Sequence, residues 1–166
     1  EVQALVAPSA GGSPRRTTSG VDSSRTAMIL AVLERRAGAP VSRADCYVST
    51  VGGARLTEPA ADLAVALSLL SSAQEKPLPG GLIAVGEVGL SGDIRAVSGV
   101  ARRLAEAARI DFDKAIIPAG SLGTEKPPAG MRIAECADLG SAMRAVGTAS
   151  SASHPSADAD AAPSPG

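Results

Sequence analysis

Residues 51–67 read VGGARLTEPAADLAVAL, and the fold turns on how the second half of that run begins. Gly52 and Gly53 make a turn, Pro59 suits the first position of a helix, and from Ala60 onward almost every residue is apolar. Such a pattern describes a chain entering a helix buried on most sides, with the free N–H groups of its first turn pointing outward. A start of this kind suits a nucleophile or an anion. Here the positions on offer are Ala60 and Ala61, between Glu58 and Asp62. No reactive side chain stands there. The two carboxylates suit a helix N-terminus on electrostatic grounds alone, and the expectation is that they cap it.

The surrounding chain has 166 residues, 45% hydrophobic and 1% aromatic, so Val, Leu, Ile and Ala must fill its core. This is the size of one domain. No apolar run reaches the roughly 18 to 20 residues that a helical membrane span needs, and no membrane partner is expected. The first residues, EVQALV, lack the charged-then-apolar layout of a signal peptide and read as a strand that starts abruptly, as in a piece of a longer protein. Residues 148–166, TASSASHPSADADAAPSPG, contain no Val, Leu or Ile, and the expectation is a disordered tail behind a folded domain of residues 1–147.

Net charge is −1, and within residues 1–147 the balance is 16 basic against 15 acidic groups. Thirteen of the sixteen basic residues are Arg, the residue suited to bidentate phosphate contacts. Cys46 and Cys136 lack CxxC spacing and read as buried thiols in a reducing, cytoplasmic setting. The single histidine, His154, lies in the tail, so no metal site is expected in this chain.

Strands and helices alternate along the rest. Residues 1–6 and about 16–19 read as strands. A helix is predicted over 24–37, capped by Asp22 or Ser23 and ended by Gly38 and Pro40. Its middle, AMILAVL, is apolar on nearly every side. DCYVSTV, residues 45–51, is a strand rich in β-branched residues. The opening run supplies a second buried helix, about 59–74. Residues 82–88 and 93–97 flank GLSG, a hairpin signature. Helix 99–109, strands 114–118 and 131–135, and helix 137–146 complete an α/β (α+β) fold with a mixed sheet covered by helices.

Most of the common chemistries are excluded. The chain has neither the glycine–lysine spacing of a P-loop nor the GxGxxG dinucleotide fingerprint. A Ser-His-Asp triad would depend on His154. A Ser-Lys dyad would have to use Lys76, Lys114 or Lys126; two of these adjoin prolines in connections and Lys114 opens a strand. Glu87, in an otherwise apolar strand, is expected to pair with Arg55 or Arg95 rather than act as a general acid.

The segments GARLTEPAADLAVALSLL, LIAVGEVGLSGDIRAVSGVARRLAEAA and KAIIPAG, in that order, resemble the proteolytic domain of Lon-type proteases over about residues 45–146. In that family a G-P-S-A-G helix start carries the nucleophilic serine, and the helix after the hairpin carries its partner lysine in G-G-V-K. This chain reads Glu58-Pro59-Ala60-Ala61-Asp62 and Ser98-Gly99-Val100-Ala101. The resemblance therefore implies a Lon-like fold with Ala60 at the serine position, Ala101 at the lysine position and no peptidase chemistry.

EVQALV, SPRR, AVLERRAG, VGGARLTEPAADLA and GEVGLSGDIR extend the likeness to residues 1–146, where the chain resembles the C-terminal Lon-like domain of the bacterial RadA (Sms) family of DNA repair proteins. That resemblance implies a DNA-dependent ATPase acting as a hexameric ring in branch migration, with a partner recombinase of the RecA type. Its Zn, ATP and Mg would be held by parts that precede this domain. The expected role of this domain is ring assembly and contact with single-stranded or branched DNA, mainly through phosphates. Arg15, Arg16, Arg35, Arg36, Arg55, Lys76 and Lys114 are the candidate contacts, with backbone contact favoured because only Tyr47 and Phe112 could stack on bases. The alternatives are an active Lon-class peptidase and an oligomerisation scaffold with no DNA role.

Overall fold

A computed structural model describes residues 1–151. Strand β1 (Val2–Pro8), β2 (Arg16–Ser19) and β3 (Ala44–Thr50) form a first sheet in the order β1-β3-β2, with β3 antiparallel to β1 and parallel to β2. Helix α1 (Ser23–Ala37) connects β2 to β3. Asp22 caps its start by accepting the Arg25 N–H at 2.8 Å, and Gly38 ends it in the left-handed conformation at φ 66°. A single 3₁₀ turn, Pro59–Ala61, leads into α2 (Asp62–Gln74). The second sheet, β4 (Leu82–Ala84), β7 (Lys114–Pro118) and β8 (Arg132–Cys136), is parallel throughout, in the order β4-β7-β8. Between its strands come the hairpin β5 (Glu87–Val88) and β6 (Ile94–Arg95), then α3 (Val100–Arg109); α4 (Leu139–Ser151) follows β8.

The α/β class is as expected, but the sheet is not single. Residues 82–88 break at Gly86 instead of forming one strand. Val85 still donates to the Ile116 carbonyl at 3.0 Å, in line with β7, whereas the Gly86 N–H turns to the Ala60 carbonyl at 2.9 Å. A Cβ at Gly86 would lie 2.8 Å from Ile94 Cγ2, so this crossing of chains needs a glycine. The last helix begins after Asp138, whose carboxylate accepts the Ser141 N–H at 2.7 Å, and runs through Ser151, beyond the expected domain limit at 147. The rest of the expected tail, 152–166, lies outside the described residues.

Strand β7 divides the core. All five of its residues are buried, as befits a parallel strand covered on both faces. Ile116 faces a cluster built from Ile29, Leu30 and Leu33 of α1, Leu63 and Leu67 of α2, and Val48 of β3. Ala115 and Ile117 face the other side, where Val100 and Leu104 of α3 pack with Val85, Met131 and Ala60. Seven of the thirteen residues of α2 are buried, which is why its sequence shows so little polarity. Cys46 and Cys136 are both free and buried.

Candidate functional site

The helix start at Pro59–Asp62 is built as the sequence suggests but is closed. Gly52 and Gly53 take positive φ, 73° and 72°, in the preceding turn. The Leu63 N–H donates to the Gly86 carbonyl at 3.1 Å, so the crossing at Gly86 occupies one of the amides a bound anion would use. Ala60 is 7% exposed and packs in the cluster that holds Val100 and Leu104. Those residues flank Ala101, which is half-buried in the first turn of α3. Ala60 thus packs against the helix that carries Ala101, and an Arg103–Glu58 ion pair joins the two segments.

Neither Glu58 nor Asp62 caps the helix, contrary to expectation. Glu58 is drawn to Arg103. Asp62, 3% exposed, is drawn to Arg25 of α1: Arg25 Nε donates to Oδ1 at 2.9 Å, Nη2 donates to Oδ2, and the Val88 N–H donates to Oδ2 at 3.2 Å. A buried carboxylate needs a counter-charge more than a helix needs a cap. The hydrogen bond to Asp62 holds the Arg25 guanidinium above its usual pKa. Glu87 extends the network, 3.9 Å from Arg25 and 4.0 Å from Arg95, and Arg95 Nε donates to Asp93 at 2.7 Å. Of the partners expected for Glu87, Arg95 is present and Arg55 is not. Arg25 is the partner the sequence did not disclose, because only the packing of α1 on α2 brings it near.

The candidate phosphate contacts separate into three places. β2 runs parallel to β3 with Arg16 opposite Cys46, so the start of β2 lies beside the start of β3. Both helices run toward that same end. Arg25, early in α1, meets the start of α2, and the Val6 N–H, opposite Cys46 across β1, donates to Ser72 Oγ near the end of α2 at 2.8 Å. The 15 residues of α1 span about 22 Å, the length of the 7-residue β3 beneath it. Arg15, Arg16, Arg35, Arg36 and Lys76 are therefore gathered at one end of the first sheet, and all five are exposed.

Arg43 in the α1–β3 connection joins them. Arg16 Nη2 donates to the neighbouring Ser42 carbonyl at 3.5 Å. No ion pair engages these six side chains among the described residues. Asp45 is the local counterweight, accepting the Arg15 N–H at 2.8 Å, which holds its carboxyl below the usual range. Arg55 follows β3 and lies at the opposite end, next to Leu56, whose N–H donates to the Gly20 carbonyl at 2.8 Å. Lys114 leaves the set altogether. It is 9% exposed, and its Nζ donates to the Gly80 carbonyl at 2.9 Å and to Asp113 at 2.8 Å.

Comparison with known proteins gives this geometry a context. A protein named DNA repair protein RadA from Mycolicibacterium smegmatis is 49% identical over 146 residues, covering 88% of this chain and 30% of that protein. Its namesake from Mycobacterium tuberculosis is 58% identical over 118 residues, 71% of this chain and 25% of the relative. The Bacillus subtilis protein of the same name is 40% identical over 144 residues, 87% and 31%. The chain is a homologue of RadA proteins. It spans roughly a quarter to a third of the length of these relatives.

A family model described as subunit ChlI of Mg-chelatase matches residues 50–121 of this RadA homologue, from the end of β3 to just past β7. That span holds the closed helix start, the hairpin and α3, the elements that meet at Ala60. Among the described residues, no three His, Cys, Asp or Glu side chains are grouped so as to hold a metal ion, and no helix is long and apolar enough to cross a membrane. Arg43 and Arg25 are the two residues that reading the RadA-like sequence motifs missed. Arg43 sat in a six-residue connection next to no other arginine, and only the parallel pairing of β2 with β3 reveals its neighbours.

Proposed function

We propose that this chain is the Lon-like part of a RadA-type DNA repair protein, and that it serves ring assembly and phosphate contact with DNA rather than proteolysis. The observation that carries the reading is the convergence of Arg15, Arg16, Arg35, Arg36, Arg43 and Lys76 at one end of the first sheet, in a chain whose close relatives are named DNA repair proteins. Planar guanidinium groups without carboxylate partners are suited to phosphate oxygens and give sequence-independent, salt-sensitive affinity. Against proteolysis stand the alanines at the serine and lysine positions of the Lon pattern, with Ala60 packed among apolar side chains. The whole protein would be a cytoplasmic, DNA-dependent ATPase that promotes branch migration as a hexameric ring beside a RecA-type recombinase. Its Zn, ATP and Mg would be held outside the residues described, since nothing in them matches a P-loop or a metal cluster.

The test is a salt titration of DNA binding by fluorescence anisotropy, run beside a peptidase assay and light scattering. The expected result is a steep salt dependence whose slope falls by about 0.9 for each duplex phosphate contact removed in Arg15→Ala, Arg16→Ala and Arg43→Ala. Salt-dependent binding that ignores these three substitutions would move the contact elsewhere. No binding with an intact assembly would leave a scaffold, and cleavage of casein abolished by one serine substitution would restore the peptidase reading.

A further inference from the structure

The hairpin between β5 and β6 turns through Gly89-Leu90-Ser91-Gly92, and Leu90 at its tip is 70% exposed. Isolated exposed leucines are common, but this one sits on a stiff mount. The Gly89 N–H donates to the Asp93 carbonyl and the Gly92 N–H to the Gly89 carbonyl, both at 2.9 Å. The Asp93 carboxylate accepts from the Ser91 hydroxyl and from Arg95 Nε, and it occupies the space a Cβ at Gly89 would need. The outer strand is clamped as well: the Gly92 carbonyl accepts the Leu139 N–H at 3.0 Å, and Ile94 donates to the Ala137 carbonyl at 2.8 Å. Leu90 is therefore held at the tip of a hydrogen-bonded turn with its side chain exposed.

The tip also lies at the basic end. β5 starts beside Arg25 near the beginning of α1, and the hairpin reaches the helix's last turns, where a Cβ at Gly92 would touch Arg36 Cβ at 3.2 Å. An uncovered apolar side chain thus stands on the turn that meets Arg36, next in sequence to Arg35.

We propose that Leu90 is a wedge that enters between stacked bases of DNA while Arg35 and Arg36 hold the adjacent phosphates; this rests on the DNA-contact reading above. An inserted leucine must unstack a base step, a cost offset by the wider contact that a kinked duplex allows. The step is sequence-tolerant and easiest where bases are already poorly stacked, at mismatches and branch points. Arg36 beside the turn, with the Asp93 carboxylate already engaged by Ser91 and Arg95, favours DNA over an apolar pocket on another protein.

The experiment uses the 166-residue chain with duplexes carrying 2-aminopurine, whose emission rises on unstacking. Binding of the unaltered chain should raise the emission. Leu90→Ala should abolish the rise while leaving the salt slope unchanged. Leu90→Trp should keep the rise, and its tryptophan, the sole one in the chain, should be quenched by stacking on DNA. Binding without any rise, or a rise that survives in Leu90→Ala, overturns the wedge. Loss of assembly on light scattering in Leu90→Ala, with the rise retained in the dissociated protein, overturns it too and makes Leu90 a contact between copies. Arg35→Ala with Arg36→Ala keeps the two readings apart. Affinity unchanged by that pair removes the phosphate anchor and the wedge that depends on it, whereas affinity reduced by that pair, with no emission rise from the unaltered chain, removes the wedge alone.

Discussion

Replacing Arg25 by Met tests whether the pair with Asp62 pins α1, α2 and the hairpin together. The Asp62 carboxylate is 3% exposed and would be left with the Val88 N–H, at 3.2 Å, as its one remaining partner among the contacts described. Removing one member of a buried ion pair costs about 3–5 kcal/mol. Arg25 keeps 33% of its side chain exposed, and water screens the pair, so the expected loss is lower, about 2–3 kcal/mol. In a fold of this size that lowers Tm by about 5–10 °C. Urea unfolding followed by circular dichroism should show the midpoint moving by about 1 M at an unchanged slope. Adding Asp62→Asn removes the stranded charge but keeps a carbonyl for Val88, so the double variant should recover at least about 1 kcal/mol relative to Arg25→Met alone. A loss below about 0.5 kcal/mol in Arg25→Met, or strictly additive losses in the pair, would refute the pin.

Gly20 has φ 75°, and a methyl group there would overlap Thr50 Oγ1 and the Ala54 carbonyl oxygen, so Gly20→Ala should cost about 3 kcal/mol or more by thermal melting, against about 1–2 kcal/mol at Gly53, where the positive φ strains an alanine but a Cβ meets open space. Burial raises the pKa of both Cys46 and Cys136, so a thiol reagent at pH 7.5 should react slowly with the native protein and release two equivalents only on denaturation; rapid native labelling would contradict the packing. Asp93, Asp113 and Asp138 are held below the usual carboxylate pKa, first by Ser91, Lys114 and the Ser141 N–H respectively. A depressed folded pKa adds stability that is complete above the unfolded value of about 3.9 and is lost as pH falls through the folded one. Unfolding free energy should therefore drop with acid below about pH 4, and Asp138→Asn, which also weakens the α4 cap, should flatten that drop.

How much of this was legible in the residues differs from element to element. β2 occupies Arg16–Ser19 as expected, and α1 begins and ends at Asp22 and Gly38, because caps and turns depend on neighbours within four residues. The break at Gly86 was not legible, since the groups that demand it, Ile94 and Ala60, approach only in the folded chain. The candidate site divides in the same way. The alanines at positions 60 and 101 could be read directly, and so could the excess of arginine. That Arg55 and Lys114 fall outside the basic end could not, nor could the membership of Arg43.

The sequence by itself determined which elements form and which chemistries are missing, because periodicity, caps and the identity of single side chains are local properties. Tertiary structure alone decided what each charge is for. Asp62 and Glu58 looked like caps and became halves of ion pairs, and for the buried Asp62 a counter-charge is worth more than a dipole. The arginines came together only when the parallel pairing of β2 with β3, and two helices running the same way, carried them to one end of the sheet.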